Sequence, residues 1–164
     1  MKRAVGLGLL VAAFFGAFVL LQDNIGVSSF YMAAIAMAMF AVLGPVGDYF
    51  KTAIAMLIGV VIGLAGIFTL IGFMPLPPDN TVYLAIVSGL CLFLLVLVST
   101  TGLRIDAMFL GWAGYFASVY GTYMSDAASL AAGAIPAAVG VSVALLIGLL
   151  MAIVIIRIAM AVNH

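Results

Sequence analysis

Six apolar stretches without a charged side chain follow one another along the chain, and the short segments between them hold nearly every Asp, Lys, Arg, Asn and Pro. They run roughly over Ala4–Leu21, Val27–Leu43, Thr52–Gly72, Val82–Val98, Ala107–Tyr123 and Ala131–Ile156. Continuous apolar runs do not fit transmembrane strands, which alternate, and a backbone surrounded by lipid must satisfy its own hydrogen bonds, which a helix does. About 20 helical residues cross a hydrocarbon core roughly 30 Å thick. The expected fold is therefore all-α integral membrane, with six transmembrane helices in a single membrane domain over 1–164. Water is excluded as the solvent by composition. Of 164 residues, 68% are hydrophobic and 6% charged, against about 25% charged in soluble domains.

The loops orient the spans. With the N-terminus cytoplasmic, Lys2, Arg3, Lys51, Arg104 and Arg157 all fall inside, while Asp23, Asp79 and Asp126 fall outside. That is the positive-inside pattern, and it places both termini in the cytoplasm. Asp48 and Asp106 also fall inside, where acidic residues carry little topological weight. Met1-Lys2-Arg3 has the basic start of a signal peptide. The run behind it is long for one, and Leu20-Leu21-Gln22-Asp23-Asn24 offers no small-residue cleavage site, so it is expected to stay as the first helix.

The segment Phe73-Met-Pro-Leu-Pro-Pro-Asp79-Asn80 forbids a continuing helix and divides the chain in half. Met32, Phe40 and Ala41 recur as Met108, Phe116 and Ala117, an offset of 76 residues that maps helix two onto helix five. The halves, about 4–72 and 82–160 on either side of the loop 73–80, then each hold three spans. Units of three must enter the membrane from opposite sides, which predicts two inverted three-helix repeats with a working site near the midplane.

In such folds the site is marked by short or glycine-interrupted spans at corresponding positions. Helices two and five fit: each is short for a bilayer core, as helix four also is, but helix two ends at Gly44-Pro45 and helix five contains Gly111, Gly114 and Gly121. Candidate solute-binding or pore-lining residues are Ser28, Ser29 and Tyr31 from the first and Trp112, Tyr115, Ser118, Tyr120 and Thr122 from the second. The alternative is structural. Gly111, Gly114 and Ser118 then form a small face for helix contact, and Trp112, Tyr120 and Tyr123 an interfacial aromatic belt. Helices three and six look like scaffold, with packing positions Gly59 and Gly63 in a GxxxG and Gly140, Ala144 and Gly148 at the same spacing. Pro136 is expected near the start of helix six, where a missing amide is tolerated, or at a kink.

Catalytic parts are missing. The single His is His164, there is no Glu, and no acid lies inside a span. Metal ligation, a Ser-His-Asp set and paired carboxylates each lack components, so neither an enzyme, a metal nor a cofactor is expected. Cys91, the one cysteine, allows no intramolecular disulfide. Net charge is zero and the basic residues are scattered, which argues against nucleic acid. Proton-driven carriers keep an ionisable group in the bilayer, and none is present here. The expected function is therefore passive: a channel or facilitator for a small neutral solute, using hydroxyl, carbonyl and aromatic contacts. The alternative is a noncatalytic membrane subunit that binds or stabilises a partner complex. A homo-oligomer is expected, because six short helices leave little room for a pore within one protomer and small-residue faces can pair protomers.

The stretch Met108-Phe-Leu-Gly111-Trp-Ala-Gly-Tyr-Phe116-Ala117-Ser118 through Gly121, followed by an apolar glycine-containing helix, resembles the small inner-membrane family termed domain of unknown function 1097. The first half, Ser29-Phe-Tyr31 through Gly44-Pro45 to Gly59-Val-Val-Ile-Gly63, also resembles the first helices of fusaric-acid-resistance-type efflux proteins. Where those carry a basic residue three positions before the first glycine of the GxxxG, this chain has Met56. Both resemblances imply a multi-pass protein of the bacterial cytoplasmic (inner) membrane.

Overall fold

A computed structural model of the chain describes residues 2–25, 31–41, 47–73 and 81–162. Among these residues the fold is all-helical, with α1 Lys2–Ile25, α2 Tyr31–Ala41, α3 Tyr49–Phe73, α4 Thr81–Ser99, α5 Ile105–Ser125 and α6 Ala127–Val162. Three stretches, Tyr49–Phe73, Val82–Ser99 and Ser129–Ala161, are long and apolar enough to cross a membrane, as befits a membrane protein. In α5 the aliphatic residues give way to Gly, Trp, Tyr, Ser and Thr. Much of the proline-rich loop, residues 74–80, lies outside the described residues, as do Gly44 and Pro45.

The helix ends have local causes. At the end of α4 the hydroxyls of Ser99, Thr100 and Thr101 donate to the carbonyls of Val96, Leu97 and Val98 at 2.6–2.7 Å. Gly102, at φ +86°, then takes the left-handed conformation that closes many helices and that an L side chain rarely adopts. Arg104 is extended ahead of α5 and caps nothing with its side chain. It pairs instead with Asp106 in the first turn, where a carboxylate also meets the positive end of the helix dipole. Asp126 serves two helices. Its amide donates to Thr122 O at 2.8 Å, closing α5, and its main-chain and side-chain oxygens receive the Ser129 amide at 3.2 and 3.4 Å, opening α6.

Helix six is longer than the apolar run suggests. It starts at Ala127 rather than Ala131, continues through Pro136 and ends at Val162 rather than Ile156. The cap at Asp126 and the alanines that follow it favour this early start. Pro136 is exposed, so its ring displaces no packed neighbour.

The chain forms two compact units, one of residues 1–49 with 143–164 and one of residues 50–142. These boundaries cut across the halves 4–72 and 82–160, because α6 contributes to both units. In the unit of residues 50–142, α3 buries Ala55, Met56, Gly59, Val60, Gly63, Gly66, Ile67 and Leu70. On α4 the buried side chains are Val87, Cys91 and Leu95, a narrow i, i+4, i+8 stripe, while Ile86, Leu90, Phe93, Leu94 and Leu97 are exposed. An apolar face that large would be a liability in water and suits acyl chains. In the other unit Ala33 and Ala36 of α2 are buried, and so are Ala144, Leu145, Gly148, Leu149 and Ala152 of α6.

Candidate functional site

The site residues on α5 are set by how that helix packs. Gly59 of α3 lies against the Met108 carbonyl of α5, and Gly111 of α5 lies against the Met56 carbonyl of α3. The relation is reciprocal, because each glycine meets the carbonyl three residues before the other. A Cβ at either position would overlap the facing oxygen; at Gly59 it would also come within 2.9 Å of Trp112 N, and at Gly111 within 3.2 Å of Met56 Cα. Further along, Gly63 faces the Tyr115 ring at 2.8 Å from its ideal Cβ, and Gly66 faces Cys91 Sγ at 2.7 Å. The contacts advance together along α3 and α5, so the two helices run parallel. Between lipid-soluble helices attraction comes from close packing rather than from expelling water, and glycines permit the closest backbone approach. Gly63 thus makes the room that the Tyr115 ring fills.

Trp112, Tyr115, Ser118 and Thr122 follow one stripe of α5 at helical spacing, and Tyr120 projects from another side. Tyr115 is fully buried and its hydroxyl donates to Ala134 O of α6 at 3.2 Å. Its ring meets Phe116 edge-on at 6.3 Å, and Trp112 stacks on Phe116 at 4.6 Å. Trp112 Nε1 is buried beside the Cys91 thiol of α4, a weak acceptor, and makes no well-formed hydrogen bond among the described residues. The Ser118 hydroxyl donates to Tyr115 O at 2.7 Å, which spends its proton within the helix and leaves its oxygen as an acceptor. Thr122 is half-buried and Tyr120 is 46% exposed.

On the side of α2, Tyr31 opens the helix, and Ser28 and Ser29 lie outside the described residues. Of the packing positions, Gly59 and Gly63 meet α5 as described. Gly148 meets α2, where its ideal Cβ would overlap Ala33 O and lie 2.9 Å from Ala36 Cβ; Gly140 and Ala144 are buried. Gly121 has open space around it. Among the described residues no three His, Cys, Asp or Glu side chains gather to hold a metal ion.

Outside the spans the electrostatics centre on Arg104 and Asp106. The guanidinium donates from Nε to Asp106 Oδ1 at 3.0 Å and from Nη2 to Oδ2, a two-pronged pair. Hydrogen bonding from Arg104 holds the Asp106 carboxyl below its ordinary range against the opposing effect of burial, and the Ala107 amide adds a donor at 2.9 Å. Both side chains are about 40% exposed, so solvent screens the pair.

Spacing alone did not reveal the Gly59–Met108 and Gly111–Met56 pairing, because GxxxG marks a small face without naming its partner. It did not reveal the Tyr115–Ala134 bond either, since the acceptor is a main-chain carbonyl. No protein-family description, curated protein or solved structure matches this chain.

Proposed function

We propose that the chain is a six-span protein of a cytoplasmic membrane that conducts a small neutral solute passively, with α5 as the helix that meets the solute. The observation that carries this is the Trp112 indole N–H, buried with only the Cys91 sulfur, a weak acceptor, beside it among the described residues. A buried donor left wholly unsatisfied costs about 1–3 kcal/mol, and a weak sulfur acceptor offsets only part of that. A passing hydroxyl, carbonyl or water oxygen is a stronger acceptor than the Cys91 sulfur. The Ser118 oxygen and half-buried Thr122 continue the polar stripe on the same helix, and neither brings a charge that would select an ion.

Two tight crossings support the inverted trios. Gly59 of α3 packs on Met108 of α5, and Gly148 of α6 packs on Ala33 of α2. Each joins the third helix of one trio to the second helix of the other. The bare apolar face of α4 favours a second reading, a noncatalytic subunit that docks on a larger membrane complex or on copies of itself.

Reconstitution into liposomes, with stopped-flow shrinkage on glycerol, urea and similar neutral solutes, tests conduction. Flux above protein-free liposomes for at least one solute, reduced several-fold by Trp112→Phe, is the expected result. No flux above the protein-free level for any of them contradicts it and favours the subunit reading, which co-purification in mild detergent then examines.

A further inference from the structure

The C-terminal part of α6 borders a cleft of about 370 Å³ lined by Gly47, Tyr49, Ile153, Ile156, Arg157 and Met160. That volume lies within the ~300–1,000 Å³ of small-ligand sites. All six residues belong to one compact unit. Four of them stand at i, i+3, i+4 and i+7 on α6, so they share a face on which a guanidinium interrupts three apolar side chains. Gly47 and Tyr49, at the entry to α3, complete the lining. Arg157 is exposed, and among the described residues no carboxylate pairs with it.

Depth follows from counting along the helix. About 20 residues fill a hydrocarbon core. Counted back from Arg157, that stretch reaches Pro136 and contains Ser142 as its one polar side chain. Arg157 therefore comes at the level of the lipid phosphates, and Ile153 and Ile156 lie at the level of the first acyl carbons. A guanidinium offers phosphate a planar, two-pronged donor set, and basic clefts at this depth are suited to anionic headgroups. Among the described residues no carboxylate lines the cleft to receive the ammonium of a zwitterionic lipid; Asp48 is not one of the lining residues.

The geometry points to a binding site for one anionic phospholipid, with its phosphate on Arg157 and its glycerol and first acyl carbons against Ile153 and Ile156. This site rests on α6 crossing a bilayer and not on solute conduction, so lipid binding and flux fail or succeed separately.

The test is native mass spectrometry of the full chain, delipidated in detergent and supplied with equal amounts of phosphatidylglycerol and phosphatidylcholine. The wild-type chain is expected to retain phosphatidylglycerol at least tenfold over phosphatidylcholine. Arg157→Gln and the cleft-filling Ile156→Trp abolish that preference, whereas Arg104→Gln, which removes an equal charge elsewhere, leaves it. Equal retention of both lipids by the wild-type chain overturns the site without recourse to a variant. So does an unchanged preference in Arg157→Gln, or an equal loss in Arg104→Gln. Displacement of the lipid by an equal concentration of inorganic phosphate would assign the cleft to a soluble phosphate and overturn the lipid as its occupant.

Discussion

Gly59 lies directly against the main-chain carbonyl of Met108, with no room between them for a side-chain carbon. The facing atom is backbone, fixed by the helix to which it belongs, so it cannot move aside as a flexible side chain would.

Gly59→Ala and Gly111→Ala are therefore expected to destabilise the unit of residues 50–142 by about 1–3 kcal/mol each, the usual cost of overpacking. Gly89, in α4, has nothing within 4 Å of its ideal Cβ. Gly89→Ala should leave the thermal midpoint unchanged or slightly raised, since alanine is the better helix former. Thermal unfolding of the three variants in one detergent checks this. Equal midpoints for Gly59→Ala and Gly89→Ala would contradict the crossing.

Tyr115 and Trp112 share a stripe but differ in their polar atoms. Tyr115 donates to Ala134 O, so Tyr115→Phe should lower stability by about 0.5–1.5 kcal/mol. Because that hydroxyl is already engaged, flux per folded molecule in liposomes should stay within about twofold. Trp112→Phe should do the opposite: reduced flux with a stability close to wild type, since the donor it removes has only the weakly accepting Cys91 sulfur beside it. A reversed pattern would assign solute contact to Tyr115.

The pair of Arg104 and Asp106 gives a pH signature. The folded carboxyl of Asp106 is held below its ordinary range chiefly by Arg104, so its contribution is complete above the unfolded value of about 3.9 and is lost as the pH falls through the depressed folded value. Asp106→Asn should lower the midpoint modestly at pH 7, by no more than an exposed pair contributes, about 0.2–1 kcal/mol. The gap between variant and wild type should close as the solution is acidified below about pH 3.9. A gap that widens on acidification would show that the carboxyl is not stabilised in its charged form.

The helices were legible in the sequence where a run was closed by chemistry at both ends. Lys51 precedes and the proline-rich loop follows the run that became α3, and Arg104 with Asp106 precedes the one that became α5; both helices extend only a few residues beyond their runs. Helix six begins four residues before its apolar run and ends six after it, because Asp126 caps it from outside that run and Pro136 is tolerated on an exposed face. The candidate site was legible as residue types on α5 and not as environments. Tyr115 and Tyr120 look alike in sequence, yet one is buried on a carbonyl and the other is exposed, and that difference depends on which glycine of α3 faces α5. The stretch from Arg157 to the cleft was read only as an inner-side charge, since Gly47 and Tyr49 lie about a hundred residues away in sequence and nothing in their spacing links them to α6.

The central claim is that six helices cross the bilayer in two opposed trios, and α5, which is not among the three stretches long and apolar enough by themselves to cross, is where it is most exposed to failure. Thr101 and Ser125 flank α5, and both are exposed. Single cysteines at these two positions, on a Cys91→Ala background in intact spheroplasts, should differ in their reaction with a membrane-impermeant maleimide. The account requires labelling of Ser125→Cys from outside and of Thr101→Cys only after the membrane is opened. Labelling of both from the same side would show that α5 does not cross and would contradict the six-span arrangement.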